Sequence, residues 1–75
     1  MEKKIIKILS NVLEVPQTDL GEHSSQVNVA NWDSLNHMKL VVALEEEFGV
    51  KFKDEDILEL QSFKLIKFIL SKYLK

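Results

Sequence analysis

The sequence predicts an all-α domain: a small four-helix bundle, three main helices plus one short helix, with a long first loop. Three observations predict it. Apolar residues recur at helical spacing in three stretches, near each end and in the middle. Helix-starting residues, Asp33 and Ser62, and a helix-stopping residue, Gly49, stand at the edges of those stretches. A chain of 75 residues suffices for one domain with a small core, so 1–75 reads as a single unit.

The first helix is set by Ile5, Ile8, Leu9, Val12 and Leu13, with Lys3, Lys4, Lys7 and Asn11 on its other side. Pro16 disfavours helix at Val15, so the helix should stop near Leu13 or Glu14. Residues 15–32 form a long connection rich in turn formers, with a short turn of helix near Thr18–Leu20. Leu20, Val27, Val29 and Trp32 are its expected anchors on the core. Connections of this length tend to be functional or well anchored.

The second helix starts at an Asp33 N-cap with Ser34 as its first residue, and Gly49 supplies a left-handed stop. Leu40, Val41, Leu44 and Phe48 share the sector that should face the core. Leu35, Met38 and Val42 form a second stripe, rotated round the helix from the first. That stripe either packs on the long loop or faces partners. Val50, Lys51 and Phe52 read as extended, and Asp54 to Leu58 as a single helical turn with acids at its start. Ser62 caps the last helix, whose apolar side carries Phe63, Ile66, Ile69, Leu70, Tyr73 and Leu74, widened by Leu65 and Phe68. The expected core is Ile5, Ile8, Leu9, Val12, Leu40, Val41, Leu44, Phe48, Ile57, Ile66, Ile69 and Leu70.

Composition excludes several function classes. The chain has no cysteine, which removes disulfides, thiolate nucleophiles and cysteine-based metal sites. Its two histidines, 14 residues apart, make a poor metal cluster, and no metal site is expected. The net charge is −2, and all basic side chains are lysines, so the footprint and the bidentate reader of nucleic acid are both missing. No apolar run is long enough to span a membrane, and the first residues show no secretory leader. The expectation is a soluble cytoplasmic monomer. Charge is also ordered along the chain: +1 over residues 1–15, −3 over 16–33, −4 over 34–60 and +4 over 61–75. C-terminal lysines suit a helix C-terminus, whereas the acidic middle coincides with the most distinctive motif.

That motif is Asp33-Ser34-Leu35. A hydrolase built on Ser34 would need a histidine base and a third group to orient it, and His37 is a helical neighbour without one. His37 reads instead as a surface or partly packed residue. A modification site fits better, because unpaired N–H groups and partial positive charge at a helix start favour an attached phosphate. An isolated Asp-Ser pair is also a common plain helix start.

The context decides more. Asp33-Ser34-Leu35 opens an amphipathic helix that ends Leu44-Glu45-Glu46-Glu47-Phe48-Gly49-Val50. With the lysine-bearing first helix, the long loop, the acidic short helix and the apolar last helix, the whole chain resembles the acyl carrier and peptidyl carrier proteins. The resemblance implies an acyl-carrier-like bundle and a 4′-phosphopantetheine, covalently attached to Ser34 from coenzyme A by a separate phosphopantetheinyl transferase. It implies that Asp33 serves in transferase docking as well as in helix capping. The protein would be a carrier of acyl thioesters and not an enzyme. Its other partners would be an acyl- or aminoacyl-loading ligase and acyl-transferring or ketosynthase enzymes. The partner face would comprise Trp32, Leu35, Asn36, Met38, Lys39, Val42 and Glu46.

Three positions depart from typical fatty-acid carriers. Asn36 and Lys39 stand where acids are common, and Trp32 where a small residue often precedes the aspartate. These point to a stand-alone carrier for a specialised pathway, polyketide-like, aminoacyl or surface-glycan acylation. The alternatives are a carrier for housekeeping fatty-acid synthesis and, in another class, a helical interaction domain without a prosthetic group. Trp32 reads either as a loop anchor or as a partner contact. Glu45, Glu46 and Glu47 read as a solvated face or as steering charges.

Overall fold

In a computed structural model, which describes residues 1–74, helix α1 spans Glu2–Leu13, α2 Ser34–Phe48, α3 Asp54–Glu59 and α4 Phe63–Tyr73. A 3₁₀ turn, Gln17–Asp19, interrupts the long first connection one residue earlier than expected. The all-α fold class and the four helices therefore stand as read from the sequence.

Each boundary has a local cause. α1 ends where Glu14 turns left-handed, at φ 56°, and its N–H donates to the Ser10 carbonyl. Ser10 Oγ then donates to the Val15 carbonyl at 2.6 Å, which fixes the chain as it leaves the helix. α2 ends at Gly49, whose φ of 65° is free of steric cost without a Cβ. α3 has no side-chain cap, but Asp54, Glu55 and Asp56 in its first turn complement the helix dipole. Ser62 caps α4 by accepting the Leu65 N–H at 3.1 Å.

α1 packs against α2 and α4, and α3 lies against α4. Between them Ile5, Leu9, Leu40, Leu44, Leu60, Ile66 and Leu70 are fully buried. Four residues expected in the core, Ile8, Val12, Phe48 and Ile57, pack on its margin and remain partly exposed. Their places inside are taken by Leu13, Trp32, Phe52, Leu60 and Phe63. Helical spacing marks a face but not its edges. The short connections that carry Phe52 and Leu60 have no periodicity to reveal which way they turn.

The long connection is tied down. The Phe63 N–H donates to the Ser24 carbonyl at 3.0 Å and the Gln26 N–H to the Gln61 carbonyl at 2.9 Å, so the loop pairs with the start of α4. Ser24 is itself buried, and its hydroxyl accepts the Gly21 N–H. Three expected anchors hold: Trp32 is buried, and Leu20 and Val29 pack on the core margin. Val27 does not, being 96% exposed. It sits at the tip of a tight turn in which Ser25 Oγ accepts its N–H and the Ser25 carbonyl accepts those of Asn28 and Val29.

Candidate functional site

The start of α2 is built from both sides. Asp33 has extended backbone and its Oδ1 accepts the Asn36 N–H at 2.9 Å, while its carbonyl accepts the His37 N–H at 2.8 Å. Asn36 Nδ2 donates back to the Asn31 carbonyl at 2.7 Å, and Asn31 Nδ2 donates to the Leu13 carbonyl at the end of α1. The entry to the helix is therefore fixed to α1 by two side-chain amides. Ser34 stands exposed at the first helical position, and among the described residues no side chain or backbone group engages its hydroxyl.

His37 and Trp32 turn inward. The indole Nε1–H of Trp32 donates to His37 Nδ1 at 3.1 Å, and His37 Nε2 lies 2.9 Å from the Ile57 carbonyl. The rings stack with centroids 6.4 Å apart. Trp32 is 3% exposed and His37 8%. This decides between two alternatives for Trp32 and corrects one expectation, for His37. Trp32 cannot be a partner contact in this fold and is a loop anchor. His37 is a core residue, and with both ring nitrogens committed it cannot accept a proton from Ser34. The spacing did carry this signal: His37 stands three, four and seven residues before Leu40, Val41 and Leu44, in the middle of the core-facing sector of α2.

The second stripe of α2 faces solvent rather than the long loop. Leu35 is 67%, Met38 49% and Val42 50% exposed. With Lys39, Ala43 and Glu46 they line a shallow groove of about 450 Å³ running down the helix from Leu35. The structure thus brings together five of the expected partner residues, Leu35, Met38, Lys39, Val42 and Glu46. Asn36 is instead spent on holding the loop.

The three glutamates part company. Glu45 Oε2 accepts the Phe52 N–H at 2.9 Å, and Glu47 pairs with Lys4 at 3.6 Å. Glu46 alone lines the groove. On the far side Tyr73 accepts the Lys53 N–H and donates to Asp56 at 2.5 Å. Its phenol is raised above the ordinary value, chiefly by the hydrogen bond to Asp56. Among the described residues no group of three potential metal ligands gathers.

Residues 3–66 match the family model described as "Phosphopantetheine attachment site". The chain belongs to the acyl carrier protein family. It is 37% identical over 73 residues to the acyl carrier protein of Buchnera aphidicola subsp. Baizongia pistaciae (strain Bp), covering 97% of this chain and 94% of that protein. To the acyl carrier protein of Buchnera aphidicola subsp. Schizaphis graminum (strain Sg) it is 36% identical over 73 residues, covering 96% and 92%. Acyl carrier proteins are carriers, not enzymes, and membership implies a covalently attached 4′-phosphopantetheine. Such carriers work with a phosphopantetheinyl transferase and with acyl-handling enzymes. No helix among the described residues is long and apolar enough to cross a membrane.

Proposed function

We propose that this chain is a stand-alone acyl carrier whose arm is attached at Ser34, and that it serves a specialised pathway rather than housekeeping fatty-acid synthesis. The observation that carries the first part is the exposed, unengaged Ser34 hydroxyl at the mouth of a capped helix. The first amides of α2 have no intrahelical acceptor, and Asp33 takes only that of Asn36. The helix end therefore keeps partial positive charge beside the hydroxyl, which suits a phosphodiester. The bound arm supplies a terminal thiol that carries acyl groups as thioesters. With no cysteine in the chain, no protein thiol competes with it.

The chain's own residues then present and deliver. Asp33 orders the helix start at which the transferase must dock. Leu35, Met38 and Val42 offer apolar contact to partner enzymes beside the attachment point. Glu46 and the acids of α3 steer the carrier toward basic surfaces, an effect on association rate that salt weakens. Tethering keeps the acyl group at high effective concentration for each docked enzyme.

Lys39 supports the specialised reading. It is exposed on the groove wall next to Leu35 and Met38, and it reverses the charge that a fatty-acid enzyme would meet there. The partners are then a loading ligase for an acyl or aminoacyl group and an acyl-transferring or ketosynthase enzyme, meeting a monomeric carrier in the cytoplasm.

Intact mass tests the attachment. After incubation with coenzyme A and a promiscuous phosphopantetheinyl transferase, the chain should gain one phosphopantetheinyl mass on Ser34, and Ser34→Ala should gain none while staying folded. A folded wild-type chain that gains no mass overturns the carrier assignment of Ser34. For the pathway, the modified protein is supplied to a fatty-acid ketosynthase and acyl transferase. Efficient elongation there would sink the specialised reading.

A further inference from the structure

Among the described residues, His37 is the one buried titratable side chain that the carrier function leaves unused. Its two ring nitrogens face groups with fixed roles. An indole N–H can only donate and a backbone carbonyl can only accept. The arrangement therefore requires the neutral ring with its proton on Nε2: Trp32 Nε1–H donates to Nδ1, and Nε2–H donates to the Ile57 carbonyl. One ring joins three segments. Trp32 lies two residues before Ser34, His37 is in the first turns of α2, and Ile57 belongs to α3, which otherwise rests mainly on α4.

Adding a second proton breaks this arrangement at one atom. With Nδ1 protonated, an N–H would point at the indole N–H, and Trp32 would lose its acceptor inside the core. A buried donor without a partner is costly, so the pair must separate. The imidazolium keeps its bond to Ile57, so the change falls on the Trp32 side. Among the described residues no charged group is paired with the ring to offset it. From the loop, the Asp33 carboxylate is spent on Asn36. From α3, Asp56 is held by Tyr73 and Lys72, and Asp54, Glu55 and Glu59 are exposed. Lys39 on α2 itself and Lys72 on α4 are exposed.

We propose that His37 is a positioning residue for Ser34 and a proton-operated latch. When neutral it holds the 31–33 segment against α3 and so fixes the presentation of the attachment hydroxyl. On protonation it releases Trp32 and loosens that segment. The link to Ser34 rests on the carrier reading above, whereas the latch itself can be read without it.

Trp32 is the only tryptophan in the chain, so its indole is a unique reporter. In the unmodified full chain, indole emission and the indole ¹H–¹⁵N resonance are followed as pH falls from about 8 to about 5. A one-proton transition is expected in both signals, retained in His23→Gln and lost in His37→Gln. The ¹⁵N shifts of the His37 ring should report the Nε2–H tautomer at the upper end. In parallel, the rate of Ser34 modification is compared between wild type and His37→Gln at each pH, which cancels the transferase's own pH dependence. The ratio should fall as the latch opens. An indole signal flat across this range in a helical chain, an Nδ1–H tautomer, or a transition that survives His37→Gln overturns the latch. An indole transition with an unchanged rate ratio overturns the positioning role. These wild-type spectra stand even if His37→Gln does not fold. Failure of Ser34 to accept any arm is a separate result, seen by mass.

Discussion

At the residue scale, the informative pair is Asp33 and Ser34. The first is a cap and the second a hydroxyl left free by that cap. Asp33→Ala should cost about 0.5–2 kcal/mol of stability, and Asp33→Asn, which keeps an acceptor for the Asn36 N–H, should cost much less. Urea denaturation of the two variants checks this. Equal losses would mean that the negative charge, not the hydrogen bond, holds the helix start. Both residues were legible in the sequence because capping is local chemistry. The Trp32–His37 pairing was not. Each type is common both inside and outside proteins, and the partner that buries each comes from a different segment.

At the scale of the element, α2 carries two faces with different duties. Leu44 is fully buried on the core face of α2, so Leu44→Ala should cost about 2–5 kcal/mol through lost burial and the cavity left behind. Val42, nearly half a turn away by helical phase and half exposed, should tolerate Val42→Ser within about 0.5 kcal/mol. The same change should slow turnover with a partner enzyme. Thermal unfolding separates the first effect and acyl-transfer kinetics the second. A Val42→Ser chain as destabilised as Leu44→Ala would place the stripe in the core. The periodicity identified both stripes, yet it did not say which one the loop would cover. The loop turns instead toward α4, where its backbone finds the free carbonyl and N–H groups at 61–63.

For the whole molecule, Lys67 on α4 is a tie point. Its ammonium donates to Glu2 of α1 and Glu22 of the loop and lies 4.8 Å from the centre of the Phe63 ring. The hydrogen bond to Glu22 is the main cause that raises its pKa above the ordinary 10.5, with Glu2 adding to it and desolvation opposing. A raised value means the charged form is the one favoured by folding. The contribution is thus fully present below the unfolded lysine value and is lost as pH rises through the higher folded value. Lys67→Met should lower the melting temperature at neutral pH, and the gap to wild type should narrow above the lysine range. It should also narrow in concentrated salt, because its partners Glu2 and Glu22 are exposed to screening. A gap indifferent to salt would assign the effect of Lys67 to packing on Phe63 instead.

By itself the sequence determined the helices, their caps, the exposed serine and the family resemblance, because spacing, capping and motif order are properties of neighbours in the chain. The tertiary structure decided what depends on distant segments meeting. It placed Trp32 inside and Val27 outside, spent Glu45, Glu47 and Asn36 on internal contacts, and left Glu46 and Lys39 beside the open apolar stripe. It also closed a histidine between the loop and α3. Burial and hydrogen-bond pairing are settled only when the whole chain competes for the same small core, and in a domain this size each residue that gains a place displaces another.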